Sequence, residues 1–331
     1  MNGYALIKPD CKSVFAAHIE DYINQHRALG YVFSPETQCL NQFDDFCCEQ
    51  DIKEIAISDE LIKLWSSKRK HESTATHKLR IRCIRAFCVY LYNKGISAPI
   101  TFHPLPREES GFTPYIFSEH EISDLFHAVD SIKSSPNASP IRHLVIPILF
   151  RMIYSCGLRV NEATMLRKDD LNLTDRTVNL LNTKGQHDRI VVMSDSMHKI
   201  CAKYVTIPEI TGFDSPYLFP SNDHEHYSTC HIYKLFRDFL FAAGIPHRGR
   251  GKGPRLHDLR HTFAVHVLSK WQREGKDLYV CLPILARYMG HSCLSSTEKY
   301  LRLVPESYDE VTGSFEQTFP NIFPEVSNEN K

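Results

Sequence analysis

No stretch of this 331-residue chain stays apolar for the roughly 20 residues a helix needs to cross a bilayer, so no membrane-spanning helix is expected. The opening residues, MNGYALIKPDCKSVF, lack the apolar run and small-residue cleavage site of a secretory signal, and the expected location is the cytoplasm. Paired cysteines are missing too. The eleven cysteines are an odd number and include no CxxC pair, which excludes a regular disulfide framework or a zinc-ribbon pattern and fits reduced thiols. Cys39, Cys83, Cys156 and Cys281 sit among apolar residues and read as small buried hydrophobes. There is no internal repeat, no low-complexity tract and no carboxylate cluster of the kind that holds a catalytic metal. Net charge is also absent: 39 basic side chains balance 39 acidic ones.

That balance hides segregation. Residues 248–302 hold eleven basic and four acidic side chains, and residues 63–94 hold nine and one. The acids collect elsewhere, eight of them in residues 35–60 and six after Val304. A polyanion responds to the local field, not to the total, so two basic stretches on a neutral chain suit a nucleic-acid partner.

Hydrophobic spacing divides the chain. Residues 1–100 read as a helical domain. Its first helix carries Ala16, Ile19, Tyr22 and Ile23, and a second starts at Ser34-Pro35 with Leu40, Phe43 and Cys47 on one face. Ser58 caps a third, and Ser73 or Thr74 opens a fourth with the apolar stripe Ile81, Ile84, Cys88 and Leu91. On the opposite face of that helix Lys78, Arg80, Arg82 and Arg85 are expected to project outward, where they could line a phosphate backbone. Arg248, Arg250 and Lys252, at the head of the second basic stretch, are read the same way. Residues 101–116 lie in a proline-rich linker. A second domain, 117–304, opens on the capping-box pattern Ser118-Glu-His-Glu121. It is mostly helical, with one β-hairpin formed by residues 177–181 and 189–193, and Lys184-Gly185 in the turn. Residues 305–331 form an acidic tail. The expected fold class is therefore mainly α with a small antiparallel sheet.

Four short patches of the second domain hold most of the chemistry: CGLRVNEA, NTKGQHDRI, HDLRHTFA and YMGHSCLSSTEKY. They supply Arg159, Lys184, His257, Arg260, His291 and Tyr300: two guanidinium groups, one ammonium, two imidazoles and one phenol. A phosphodiester is protected by its own negative charge, and in-line attack adds charge to the non-bridging oxygens. Arginine, planar and always protonated, is the side chain best suited to hold that charge. A phenol with an ordinary pKa near ~10 can attack once its proton is accepted, and imidazoles are suitable acceptors or phosphate donors. The set needs no metal and no cofactor.

These words, in this order, resemble the tyrosine recombinase (phage integrase) family. GLRVNEA is similar to the family's first arginine box, which implies a phosphate-clamping role for Arg159 and a supporting one for Glu162. HDLRHTFA resembles the second box, giving His257 and Arg260 roles, with Asp258 and His261 read as structural. YMGH gives His291, and Tyr300, nine residues on, falls at the nucleophile's position. Lys184 matches the lysine that protonates the leaving 5′-oxygen. The 31 residues from Arg260 to His291 exceed the gap in the chromosome-dimer recombinases and, with SSTEKYLRLVPESY, look more like recombinases carried by mobile elements. The resemblance implies a core-binding, SAM-like domain ahead of a catalytic domain, duplex DNA as partner, a 3′-phosphotyrosyl intermediate, a homotetramer in the synapse, and an acidic tail that docks on a neighbouring protomer. No additional arm-binding domain is expected.

Two other DNA readings stand beside it: a type IB topoisomerase, which uses a similar site to relax DNA, and a DNA-binding protein without catalysis. A zinc hydrolase is the third alternative, since His257 and His261 are four apart on one helix face as in HExxH. It is disfavoured by Asp258 in place of glutamate and by the cation of Arg260 beside any metal.

Overall fold

The structure is a computed structural model that describes residues 7–101, 105, 113–133, 139–181, 188–249 and 253–304. The chain divides into two compact units, Met1–Phe112 and Thr113–Lys331.

Among the described residues the first unit has four helices: α1 (Ala16–Ala28), α2 (Ser34–Glu49), α3 (Asp59–Ser66) and α4 (Thr74–Asn93). Ser58 and Ser73 accept backbone N–H groups of Leu61 and Thr76, which satisfies donors that a helix start leaves free. The helices enclose Ile19, Leu40, Phe43, Trp65, Ile84, Phe87 and Leu91. Asp44 is fully buried and accepts from the Ser13 backbone at 3.1 Å, which fastens the entry to α1 onto α2.

The basic face expected on α4 is only partly there. Arg82 is exposed, and Lys78 and Arg85 are half-buried. Arg80 is 3% exposed and points inward. Its guanidinium donates to Glu72 at 2.8 and 3.0 Å, to the Ser67 carbonyl at 2.8 Å and to the Trp65 carbonyl, and lies 4.9 Å from the centre of the Trp65 ring. Arg80 is thus withdrawn from the phosphate-contacting set. Position explains it: His77, Arg80, Ile84, Phe87 and Leu91 recur at spacings of three and four, so Arg80 belongs to the buried stripe.

The second unit begins with α5 (Glu119–Asp130), whose Ser118–Glu121 capping box is formed, and α6 (Arg142–Ser155). The short α7 (Val160–Thr164) leads to a three-stranded antiparallel sheet: β1 (Leu171–Asn172), β2 (Thr177–Leu180) and β3 (Arg189–Val192), in the order β1-β2-β3. Val178 pairs with Leu171 on one side and Val191 on the other. The two-residue β1 is too short to leave a periodic signal in the sequence. Helices α8 (Asp195–Tyr204), α9 (Pro208–Thr211), α10 (Thr229–Ala242), α11 (Asp258–Arg273), α12 (Leu278–Met289) and α13 (Ser295–Glu298) follow. α6 packs against α5, α8 and α11 in the main core. A second cluster joins Ala264, Val265 and Leu268 of α11 to Leu282, Leu285 and Met289 of α12, and to Tyr300 and Val304. The extra residues between Arg260 and His291 form the end of α11 and the start of α12. Among the described residues, no helix is long and apolar enough to cross a membrane.

Candidate active site

The site starts at the end of α6. Gly157 takes a left-handed φ of +58°, and a Cβ there would lie 2.5 Å from Cδ1 of Phe263. Only glycine allows that turn and that approach. The turn drops Leu158 into the core and leaves Arg159 extended at the mouth of α7. Glu162, three residues on, accepts the Arg159 backbone N–H at 2.8 Å.

Glu162 is the hub of the cationic side. Its carboxylate receives Nη1 of Arg159 at 2.6 Å and Nη1 and Nη2 of Arg189 at 2.9 and 2.8 Å, and lies 3.8 Å from Nη1 of Arg260. Burial alone would push its pKa up, but the hydrogen bonds and charge of Arg189, then of Arg159, outweigh it and hold the carboxyl at about 2. Arg189 also donates Nε to the Tyr288 carbonyl at 2.9 Å, so β3 is tied to the end of α12. Arg189 lies outside the six residues picked out by the sequence words. Its signal was strand alternation: Arg189 and Val191 point inward while Ile190 and Val192 are exposed, and an inward cation on a strand needs a partner.

Arg260, on the first turn of α11, is 1% exposed. It donates to the Gly157 carbonyl at 2.6 Å and to the Met289 carbonyl, while Arg159 donates Nη2 to the next carbonyl, of Gly290, at 3.1 Å. Gly290 closes α12 at φ +66°. Burial, then the neighbouring charge of Arg159, lowers the Arg260 pKa to about 10, which leaves it protonated at neutral pH.

Around these guanidinium groups stand the imidazoles and the phenol. His257 is at the N-cap of α11. His291 follows Gly290, and its Nδ1 is 2.8 Å from the hydroxyl of the buried Thr297. Burial, reinforced by the positive fields of Arg260 and Arg159, depresses both histidines to about 4, so both are neutral at pH 7. Tyr300 follows α13 and is 4% exposed, with its backbone N–H donating to Thr297 at 2.9 Å. Its ring is stacked 6.2 Å from that of His291. Its hydroxyl lies 2.7 Å from Nδ1 of His261. Burial pushes the phenol up to about 12 against the pull of Arg260 and Arg159. A cleft of about 240 Å³, lined in part by Tyr233, Arg237, Arg255 and His257, opens beside this group.

Five of the six candidate residues therefore meet in the second unit: Arg159, His257, Arg260, His291 and Tyr300. Lys184 lies outside the described residues, as do Arg250, Lys252 and the tail 305–331. Arg248 is exposed on the loop before α11, at φ +51°. The imidazole that touches the phenol is His261, a residue to which the resemblance assigns only a structural role. Among the described residues no group of three or more His, Cys, Asp or Glu is placed to hold a metal ion.

Residues 116–306, which contain all six candidates, match the model of the phage integrase family. The chain belongs to this family. A relative named as integrase/recombinase y4rB, from Sinorhizobium fredii, is 27% identical over 312 residues, which span 92% of this chain and 98% of the relative. The tyrosine recombinase of Pseudothermotoga lettingae is 29% identical over 297 residues, 87% and 92% of the two chains. The structure of the XerH site-specific recombinase bound to palindromic difH substrate, a post-cleavage complex, superposes with a TM-score of 0.62 at 17% identity, over 91% of this chain and 88% of XerH. At that identity the likeness concerns the fold: a mainly helical chain with a small antiparallel sheet.

Proposed function

We propose that this protein is a site-specific DNA recombinase of the mobile-element type, which cuts and rejoins duplex DNA through a covalent bond between Tyr300 and a 3′-phosphate. The observation that carries this reading is the convergence of a buried phenol with two guanidinium groups and two imidazoles in one constellation, in a chain of this family. The scissile phosphate takes its place against Arg159 and Arg260, whose charge offsets that developing on the non-bridging oxygens. His257 and His291 are neutral at pH 7 and can donate to the phosphate. The phenolic oxygen of Tyr300 attacks phosphorus and the 5′-oxygen leaves with a proton, for which Lys184 is the proposed source. The ester conserves the bond energy, so a 5′-hydroxyl of the partner strand can reverse the step without ATP. Duplex DNA meets the protein along the basic stretches, with Arg82, Lys78, Arg85 and Arg248 as proposed contacts. The synaptic form is proposed to be a homotetramer, joined in part through the tail after Val304.

The test is covalent trapping. Full-length protein is incubated with a pool of nicked duplexes of randomised sequence, and denaturant-resistant adducts are recovered and sequenced. Wild type should yield a 3′-linked adduct and Tyr300→Phe none. An equal absence of adduct from both sinks the enzymatic reading.

A further inference from the structure

The reaction needs an acceptor for the phenolic proton, and the two histidines of the candidate set are not the ones placed to take it. His291 spends Nδ1 on Thr297, and its ring lies alongside that of Tyr300 without a hydrogen bond between them among the described contacts. His257 sits edge-on to His261, ring centres 4.7 Å apart. His261 is four residues beyond His257, one turn along α11, and so projects from the same face toward the segment after α13. There its Nδ1 lies 2.7 Å from the Tyr300 hydroxyl.

We infer that His261 is a catalytic residue, the group that accepts the Tyr300 proton during strand cleavage and returns it during rejoining. The inference rests on the recombinase reading and adds a residue to its chemistry. In cleavage the O–H bond of Tyr300 breaks and its proton moves to Nδ1 of His261, which becomes an imidazolium. The phenolic oxygen forms its bond to phosphorus. The bond from phosphorus to the 5′-oxygen breaks, and that oxygen leaves with the electron pair and is protonated by a separate acid. In rejoining, the 5′-hydroxyl attacks, the phenolate leaves, and the imidazolium gives the proton back. One imidazole thus serves both directions, as microscopic reversibility requires.

The surroundings of His261 suit this use. The ring is half-buried and faces His257 and Arg260 of its own helix, Arg255 before it, and His291 and Tyr300 from the segment after α12. Burial first, then the fields of His257 and Arg255, hold it at about 3, so at pH 7 it is neutral and able to accept. An anionic phosphate entering among the same cations counters their field and makes the imidazolium easier to form. Proton acceptance is thereby linked to occupancy of the site by DNA.

Two measurements test the assignment. The first needs no DNA: the ¹⁵N resonances of His261 in the full-length protein report which ring nitrogen carries the proton. An unprotonated Nδ1 in wild type, perturbed in Tyr300→Phe, is the expected result; a protonated Nδ1 overturns the inference. The second uses single-turnover cleavage of the duplex recovered by trapping. His261→Ala should slow adduct formation by about 10²–10⁴-fold, the usual contribution of a general base, with DNA binding retained. His261→Asn, which offers an acceptor atom but cannot take a proton, should also lose more than about tenfold on the same scale. A duplex with sulfur replacing the bridging 5′-oxygen has a leaving group that needs no proton. It should restore Lys184→Ala and leave both His261 variants slow. Rates within about threefold of wild type for His261→Asn, or rescue of His261 variants by sulfur, overturn the inference. Absence of any wild-type adduct counts against the recombinase reading instead, and the ¹⁵N result still decides the His261–Tyr300 contact.

Discussion

Replacing Glu162 by glutamine should weaken the second unit by an amount the structure allows one to estimate. The carboxyl is held at about 2 against an ordinary 4.5. At about 1.4 kcal/mol for each unit of difference between folded and unfolded pKa, its ionised form contributes about 3 kcal/mol at neutral pH. An independent route agrees: removing one partner of a buried ion pair costs about 3–5 kcal/mol, because the other charge is left uncompensated. Here Arg189 and Arg260 are 7% and 1% exposed and would both face that loss. For a domain of this size the expected fall in Tm is roughly 6–12 °C for about 3 kcal/mol. The sign with pH follows from the depressed folded value. The contribution is complete above pH 4.5 and disappears as pH falls toward 2, because the unfolded chain takes up the proton first. Urea denaturation of full-length wild type and Glu162→Gln at stepped pH is the assay. The gap in stability should be about 3 kcal/mol at pH 7 and should narrow steadily below about pH 4.5. A gap below about 1 kcal/mol at pH 7, or one that does not change with pH, would refute the hub role of this carboxylate.

Gly157→Ala should destabilise by about 2–5 kcal/mol, combining left-handed backbone strain with the contact against Phe263. Phe263→Leu in the same background should recover part of that, and calorimetry of the double variant reads the split. Arg80→Ala should cost about 3–5 kcal/mol by stranding Glu72, whereas Arg82→Ala should change stability by less than about 0.5 kcal/mol. Arg82→Ala should instead weaken DNA binding and reduce the slope of log affinity against log salt by about one; an unchanged slope removes Arg82 from the DNA-facing set. His257, held near 4 against an ordinary 6.5, should make the fold lose stability as pH drops from about 6.5 toward 4, since the unfolded chain protonates first. His257→Gln should flatten that limb in urea titrations, and an unaltered limb would show that the imidazole is not buried neutral.

The helices and the site words were legible because each carried a local signal. Ser58, Ser73 and Ser118 stand where caps must stand, and the stripe Ile81, Ile84, Cys88 and Leu91 has helical spacing. Arg82 is readable as surface charge, but Arg80 is not, because residue type suggests water while spacing places it on the core stripe. The strand β1 escaped because two residues have no period. His261 and Arg189 escaped for a different reason. Their partners, Tyr300 and Glu162, are 39 and 27 residues away in the chain, and only folding sets those distances. Arg159, His257, Arg260, His291 and Tyr300 could be picked out by their words, but the carboxylate that holds the arginines and the imidazole that meets the phenol are matters of three dimensions.

Arg159 and Arg260 are both moored to main-chain carbonyls, those of Gly157, Met289 and Gly290. A carbonyl is present whatever side chain its residue carries. Point substitution at residue 289 therefore leaves Arg260 its acceptor, and the grip depends on the path of the chain more than on its spelling. Changes of length act otherwise. One residue inserted or deleted within α12 turns its final carbonyls by roughly 100° about the helix axis, since 3.6 residues complete a turn. Such a change would take the Met289 carbonyl from Arg260 and the Gly290 carbonyl from Arg159 together, leaving Gly157 and Glu162 as their remaining acceptors. The length of α12 therefore constrains the site more tightly than the identity of its exposed residues, such as Tyr279, Val280 and Ile284.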